Sequence, residues 1–153
     1  MKLVRNFNDS FQEKRMSELN DFNQKVITEF RANQGKVGGQ MAGMPVLLLT
    51  TTGNKTGRTL TKPLAYTKDG DRLFVIASFA GSPKNPAWFN NLAANPTVTI
   101  EVGTERFQAR ARIANGEERE RLFKLQADNM AIFYDYQKKT ARQIPVVVFE
   151  RLN

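Results

Sequence analysis

The chain contains no cysteine and no histidine. Without cysteine there is no disulfide, no thiolate nucleophile and no thiolate metal site. Without histidine the usual general base is gone, and so is the commonest metal ligand, so no metal site is expected. No apolar run approaches the ~20 residues of a membrane-spanning helix. The opening residues, Met1-Lys2-Leu3-Val4-Arg5-Asn6-Phe7, lack the apolar core of a signal peptide. The expectation is a cytoplasmic protein. Its chemistry must rest on carboxylates, Lys, Tyr, Ser or a bound cofactor that carries the difficult step while the protein orients it.

What is present is ordinary in amount and uneven in placement. The 153 residues, 41% hydrophobic and 25% charged, suit one soluble domain over 1–153 with a core of its own. The net charge of +8 admits a nucleic acid or a smaller polyanion as partner. Half of that charge falls between Asn54 and Lys84, where six basic residues face Asp69 and Asp71. No nucleic-acid motif occurs and the aromatics do not interleave with the basic residues, so no nucleic-acid partner is expected.

Residues 1–15 read as a mixed, poorly fixed lead-in. Leu19, Phe22, Val26, Ile27 and Phe30 then recur at three- and four-residue spacing, which predicts an amphipathic helix over 17–33. Its stripe either packs on a sheet or, with Phe7 and Phe11, lies on the inner face of a membrane. The stretch Pro45 to Pro96 reads as a β-meander. A strand at 45–52, apolar at its start, suggests a central position. A strand at 59–67 carries Pro63 and so marks an edge or a bulge. The turn at Asp69-Gly70 leads to a third strand at 72–78. Asn85 and Pro86 predict the cap and first residue of a helix to Ala94. Strands follow at 97–102 and 105–113, the second placing Phe107, Ala109, Ala111 and Ile113 on one face. A charged helix over 116–128, a further helix within 130–142 and a last strand at 144–150 complete an α+β chain. Its six or so mostly antiparallel strands should close on themselves to remove their edges.

Three constellations could carry chemistry. The turn Gly53-Asn54-Lys55-Thr56-Gly57-Arg58 offers N–H groups, a hydroxyl and two cations to a phosphate. It is not a P-loop, because Asn54 precedes Lys55 and a strand follows, which excludes nucleotide hydrolysis; it also reads as a plain hairpin turn. The second runs from Ala77 and Ser78 through a Gly- and Pro-containing loop to Trp88 and Phe89 at a helix start. Trp88 reads equally as core. The third is Phe133, Tyr134 and Tyr136, either hydrogen-bonding groups for a bound oxygen or one face of a helix.

Taken together and in order, these pieces resemble the deazaflavin-dependent nitroreductase family, the small split-barrel oxidoreductases that use coenzyme F420. The marks are Glu29-Phe30-Arg31-Ala32-Asn33 with Gly38-Gly39, Leu47 to Gly53, Lys55-Thr56-Gly57, Pro63-Leu64 and Ala77-Ser78. They continue with Lys84 to Trp88, Asn90-Asn91-Leu92, Ala94-Asn95-Pro96, Tyr136-Gln137, Thr140, Arg142 and Ile144 to Val147. The resemblance implies a split β-barrel like that of flavin-mononucleotide-binding oxidoreductases. It implies hydride transfer from the reduced deazaflavin to a quinone, a nitro compound or another activated double bond. A carrier of deazaflavin or flavin without turnover is the alternative, and flavin mononucleotide the alternative cofactor. By position, Asn54, Lys55, Thr56 and Arg58, with Leu60, Thr61, Lys62, Pro63, Leu64 and Ala65, would line the cofactor's phosphate and tail. Ile76, Ala77, Ser78 and Phe79, with Ala87, Trp88, Phe89, Asn90 and Asn91, would hold ring and phosphate, and Phe133 would lie near the ring. Ser78 and Tyr136 would face the acceptor. Leu60 stands where the family usually carries Arg, which implies weaker phosphate binding unless Arg58 or Lys62 takes over. The loop after Ser78, often Gly-Gly in the family, is bulkier here. With Met130 and Phe133 in the C-terminal cluster, bulky bicyclic nitroimidazoles should turn over weakly.

Overall fold

The computed structural model describes residues 7–152. Its frame is an antiparallel sheet of β1 (Val46–Thr52), β2 (Thr59–Ala65), β3 (Thr67–Asp69), β4 (Arg72–Ile76), β5 (Thr97–Val102), β6 (Glu105–Ile113) and β7 (Val146–Arg151). Around it lie helices α1 (Phe7–Ala32), α2 (Ala87–Ala94), α3 (Gly116–Asn129) and α4 (Ile132–Lys138).

The sheet order is β2-β1-β5-β6-β7-β4-β3. β2 and β3 stand at opposite ends of that order, yet Tyr66 alone separates them in the chain. One residue spans only about 3.5 Å, so the two ends must meet and the sheet curls into a barrel. Counted as one bent strand, β2 and β3 restore the expected six. The bend lets the chain leave β1 as partner and take up β4, and the Tyr66 N–H donates to Pro45 O at 3.1 Å as it does so. This corrects the expected meander. β2 never pairs with β4, although the Asp69-Gly70 turn stands as expected, with Asp69 opposite Arg72. Pro63 lies opposite Leu48 on β2, which pairs with β1 alone, so the missing N–H removes no rung of the ladder.

Three strands are apolar on both faces because both faces are covered. Leu47, Leu49, Leu73, Val75, Val147 and Phe149 point into the barrel. The alternate residues point out: Val46 and Leu48 toward Ile27 and Phe30, and Phe74, Ile76, Val146 and Val148 toward Leu122, Phe123 and Phe133 of α3 and α4. β6 is half-buried, with Ala109 and Ala111 inside and Arg106, Gln108 and Arg110 exposed; Ile113, expected inside, is exposed at the strand's end. Trp88 and Leu92 of α2 join the barrel interior. Arg119 of α3 is buried and donates twice to Ile144 O and once to Gln137 Oε1, its guanidinium 4.4 Å above the Phe123 ring.

Other expectations shift. α1 starts at Phe7, not near 17, so the lead-in is helical from there, and residues 1–6 lie outside the described residues, as do the side chains of Phe7 and Phe11. Of the expected stripe, Val26, Ile27 and Phe30 are buried, while Leu19 and Phe22 stay 42% and 40% exposed. The reason is length. A helix of 26 residues spans about 39 Å, and the seven-residue β1 beneath it only about 23 Å. β4 ends at Ile76 rather than 78, and β7 begins after Pro145, which has no N–H to give the ladder.

Candidate active site

Closure of the barrel sets β2 near the exit of β4, and a cavity of about 870 Å³ opens there. Lys62, Pro63, Leu64 and Ala65 of β2 form one wall. Ile76 at the end of β4, then Ser78, Phe79, Ala80 and Ser82 of the following loop, form the next. Pro86, Ala87 and Trp88 bring in the start of α2, and Phe133 and Tyr136 bring in α4. Arg15, Leu19 and Asn23, one turn apart on α1, complete the rim. The walls are mainly apolar, and no carboxylate lines them among the described residues. No cluster of Asp and Glu suited to a metal ion occurs among the described residues either.

The loop after β4 is held from inside by Arg142. Its Nε donates to Ser82 O at 2.9 Å, Nη1 to Asn85 Oδ1 at 2.8 Å and Ala77 O at 3.3 Å, and Nη2 to Ser78 O at 2.8 Å. All four acceptors are neutral, and burial pushes the Arg142 pKa down from its ordinary value. Asn85 is thereby occupied, and the cap of α2 falls to Pro86 instead of the expected Asn85. Between the anchored Ser78 and Ser82, Phe79 and Ala80 both take left-handed backbone, with φ of 46° and 53°. Each costs on the order of 1 kcal/mol for a residue with a side chain. Gly81 follows at φ 78°, packed so tightly on α4 that a Cβ would stand 2.8 Å from Tyr136 O and 2.9 Å from Lys139 Cβ.

Ser78 is half-buried at the cavity. Tyr136 is half-buried too, its ring edge-on to Phe133 at 5.7 Å. Neither hydroxyl hydrogen-bonds to another described residue. Tyr134 differs, for its hydroxyl donates to Asp128 at 2.6 Å, which raises its pKa and holds it on the outer surface. Tyr66 packs against the barrel interior, where burial raises its pKa.

The residues singled out in the sequence thus divide. Lys62, Pro63, Leu64, Ala65, Ile76, Ser78, Phe79, Ala87, Trp88, Phe133 and Tyr136 meet at the cavity. Asn54, Lys55, Thr56 and Arg58 do not line it; they are exposed on the β1–β2 turn. The Thr56 hydroxyl accepts from the Arg58 N–H at 3.2 Å, closing that turn on itself. Leu60 and Phe89 pack on the barrel interior, and Ala77 is part of it. The Thr61 and Thr50 hydroxyls pair at 2.8 Å, and Asn91 Nδ2 donates to Thr51 Oγ1 at 3.1 Å, fastening α2 to β1. Asn90 is exposed. Arg15, Leu19 and Asn23 were not expected at the site, Leu19 being expected only as part of the α1 stripe. Their four-residue spacing marked a shared helix face, but only barrel closure shows that this face meets β2.

The chain resembles known proteins over most of its length. The family model for F420H(2)-dependent quinone reductase matches residues 23–151. The chain is 41% identical over 126 residues to the F420H(2)-dependent quinone reductase Rv1261c of Mycobacterium tuberculosis, covering 80% of this chain and 85% of that one. A solved F420-H2 dependent reductase, FDR-A, superposes with a TM-score of 0.65 at 39% identity, over 69% of this chain and 94% of that one. The heme storage protein HutZ of Vibrio cholerae, with a TM-score of 0.56 at 17% identity over 83% and 88%, shares the fold alone. The chain therefore belongs to the F420H(2)-dependent quinone reductase family, split-barrel oxidoreductases whose hydride donor is coenzyme F420.

Proposed function

We propose that the β1–β2 turn and the cavity together hold reduced coenzyme F420, that the cavity also admits the quinone, and that the chain acts as one split-barrel domain. The observation that carries this is the run of β2. Its leading turn bears Lys55 and Arg58, which, like Lys62, make no ion pair with any described residue. Four residues on, Lys62 to Ala65 line the cavity. At ~3.3 Å per residue, Arg58 and Lys62 lie about 13 Å apart. That is a cationic track leading to an apolar chamber, and it suits a flat ring with a long anionic tail.

On this reading Asn54, Lys55, Thr56 and Arg58 take the tail, and Lys62 with the neighbouring β2 residues takes the phosphate. Leu60 packs into the barrel interior, which supports Lys62 as the phosphate cation. Ile76 to Ser78 with the backbone of Phe79, the start of α2 over Ala87 to Asn91, and Phe133 flank the ring. The amide of Asn91 and the hydroxyl of Thr61 already have partners, so their part is to place backbone. When bound, the cofactor supplies the hydride. The protein holds the acceptor against it at van der Waals distance in an apolar, water-poor site. The hydroxyls of Ser78 and Tyr136, both without a partner among the described residues, donate to the acceptor oxygen as negative charge develops there. Nitro compounds share that need for an oxygen-directed donor, and bulky bicyclic nitroimidazoles remain poor acceptors.

Titration of the purified protein with oxidised coenzyme F420, and separately with flavin mononucleotide, tests the reading through cofactor fluorescence. Tight binding of the deazaflavin and quinone reduction by its reduced form are expected. Preference for flavin mononucleotide would overturn the cofactor, and binding of neither would overturn the site. The exposed Leu19 and Phe22 on α1 support a finer proposal, that the cavity mouth meets a membrane surface from which a lipid-borne quinone enters. Co-sedimentation with lipid vesicles, abolished in Leu19→Ser/Phe22→Ser, is the test.

A further inference from the structure

Phe79 is a poor choice for stability. Its φ of 46° is left-handed, and so is the 53° of Ala80 beside it. Glycine would adopt both without strain. A buried ring could offset that cost, but Phe79 remains 41% exposed. It is also not free to relax. Arg142 fixes the carbonyls of Ser78 and Ser82 on either side, and Gly81 is wedged against the backbone of Tyr136. A strained residue pinned on both flanks, with its side chain at a cavity, marks a position held for what the ring meets there.

We propose that Phe79 is the specificity-determining wall of the acceptor subsite, an immobile aromatic face that selects flat, unsubstituted quinone rings and rejects acceptors with bulk out of the plane. The inference rests on the cavity being the quinone site. Ser78, the preceding residue, carries the hydroxyl that meets the acceptor oxygen, so Phe79 is placed to lie along the same ring. Aromatic faces attract flat π-systems in offset stacking. Because the loop is anchored at Ser78 and Ser82, the wall cannot yield to a thicker ligand, and discrimination follows from rigidity as well as attraction.

The test compares Phe79→Gly with wild type on two quinones, a plain two-ring quinone and the same ring bearing a branched substituent. Glycine relieves the left-handed backbone, so the melting temperature should hold or rise. Phe79→Asn, which tolerates left-handed backbone, is the second variant should glycine loosen the loop. Expected in both is a KM for the flat quinone raised about tenfold with kcat changed less, and a branched-to-flat ratio of kcat/KM raised at least as much. A readout without turnover is at hand, because Trp88 is the chain's single tryptophan and lines the same cavity. Quenching of its fluorescence by the flat quinone should shift to about tenfold higher concentration, while affinity for oxidised coenzyme F420 stays within about twofold. An unchanged ratio, or an affinity for the cofactor that falls in step with that for the quinone, would overturn the proposal. Failure of the wild-type protein to bind the cofactor would overturn the site itself, a separate result read in a separate titration.

Discussion

Two loops of this barrel, both with glycine and both with cations, are built in opposite ways. The β1–β2 turn is bonded to itself. Gly53 N–H donates to Arg58 O at 2.6 Å, Gly57 N–H to Gly53 O at 3.0 Å and Arg58 N–H to the Thr56 hydroxyl at 3.2 Å. Its residues 54 to 59 are exposed, and its two cations make no ion pair with any described residue. The loop from Ala77 to Asn85 has bonds of its own, Gly81 N–H to Ser78 O at 2.9 Å and Ser82 N–H to Phe79 O at 3.0 Å, but it is also bonded to the rest of the molecule, through an arginine at least 57 positions away in the chain. Here the cation points inward and is consumed as scaffold. One loop therefore presents charge to a ligand, and the other presents shape. A turn that stabilises itself can spare its side chains; a loop that must keep an apolar wall in place cannot.

The contrast breaks most visibly at Arg142. Arg142→Ala strands the Ala77 and Ser82 carbonyls and the Asn85 amide oxygen and leaves Ser78 O with the Gly81 N–H alone, so it should cost about 3 kcal/mol. The melting temperature should then fall by about 6–12 °C. KM for the quinone should rise with it, because Ser78 and Phe79 lose their anchor. Arg142→Lys, which cannot reproduce the fork, should recover little. Thermal melts and steady-state kinetics check both. Retained KM with lost stability would make Arg142 structural only.

The glycines give the next largest difference. Gly81→Ala places a Cβ against the backbone of Tyr136 at a left-handed position. It should cost about 2 kcal/mol or more and disturb the cavity through α4. Gly57→Ala is also left-handed, at φ 69°, but a Cβ there meets nothing within 4 Å. Its cost should be about 1 kcal/mol with quinone kinetics unchanged. Equal effects of the two on KM would erase the distinction between the loops.

The legible parts of this molecule were those coded by local pattern. The double-faced runs of β1, β4 and β7, the edge proline at 63 and the Asp69-Gly70 turn all follow from period-two burial and turn chemistry. What local pattern does not carry is which strands become neighbours. Tyr66 reads as one more residue of a strand, yet the bend there closes the barrel. Closure brings α1 to β2, and so Arg15, Leu19 and Asn23 to the rim. The capping reading of Asn85 failed for a similar reason, since its amide is claimed by Arg142 from far along the chain. The strain at Phe79 and Ala80 is visible only in backbone angles. The cofactor assignment came from the order of many short marks, and the composition agreed with it by lacking other catalytic groups.

The self-contained turn should show small effects of a different kind. Lys55→Ala and Arg58→Ala remove exposed charges that pair with no described residue, so melting temperatures should stay within about 1 °C. Affinity for coenzyme F420 should fall about three- to tenfold for each, and the remaining affinity should depend less on salt. Fluorescence titrations at two ionic strengths decide it. Unchanged affinity in the double variant would remove the turn from the site and leave Lys62 and Arg15 as the cations to test.

A third turn, at Asp69, gives the smallest effect on the site and serves as the control for both loops. Arg121 donates to its carboxylate at 3.0 and 3.1 Å and Arg72 at 2.7 Å, which lowers the Asp69 pKa to about 2. Glu118 lies 3.8 Å from Arg72 and shares the same cations. A carboxylate that titrates lower in the folded chain stabilises it above the unfolded value of about 4. That contribution fades as pH falls below about 4 and is gone once pH has passed through about 2. Its size should be about 1 kcal/mol, because surface ion pairs are screened by solvent and salt. The melting temperature of Asp69→Asn should therefore lie about 2–4 °C below wild type at pH 7 and converge with it on acidification toward pH 2. This turn joins β3 to β4 and does not line the cavity. Quinone KM at neutral pH should stay where it is in Asp69→Asn, and a change there would mean that anchoring, which was assigned to the Arg142 loop alone, extends around the β4 hairpin as well.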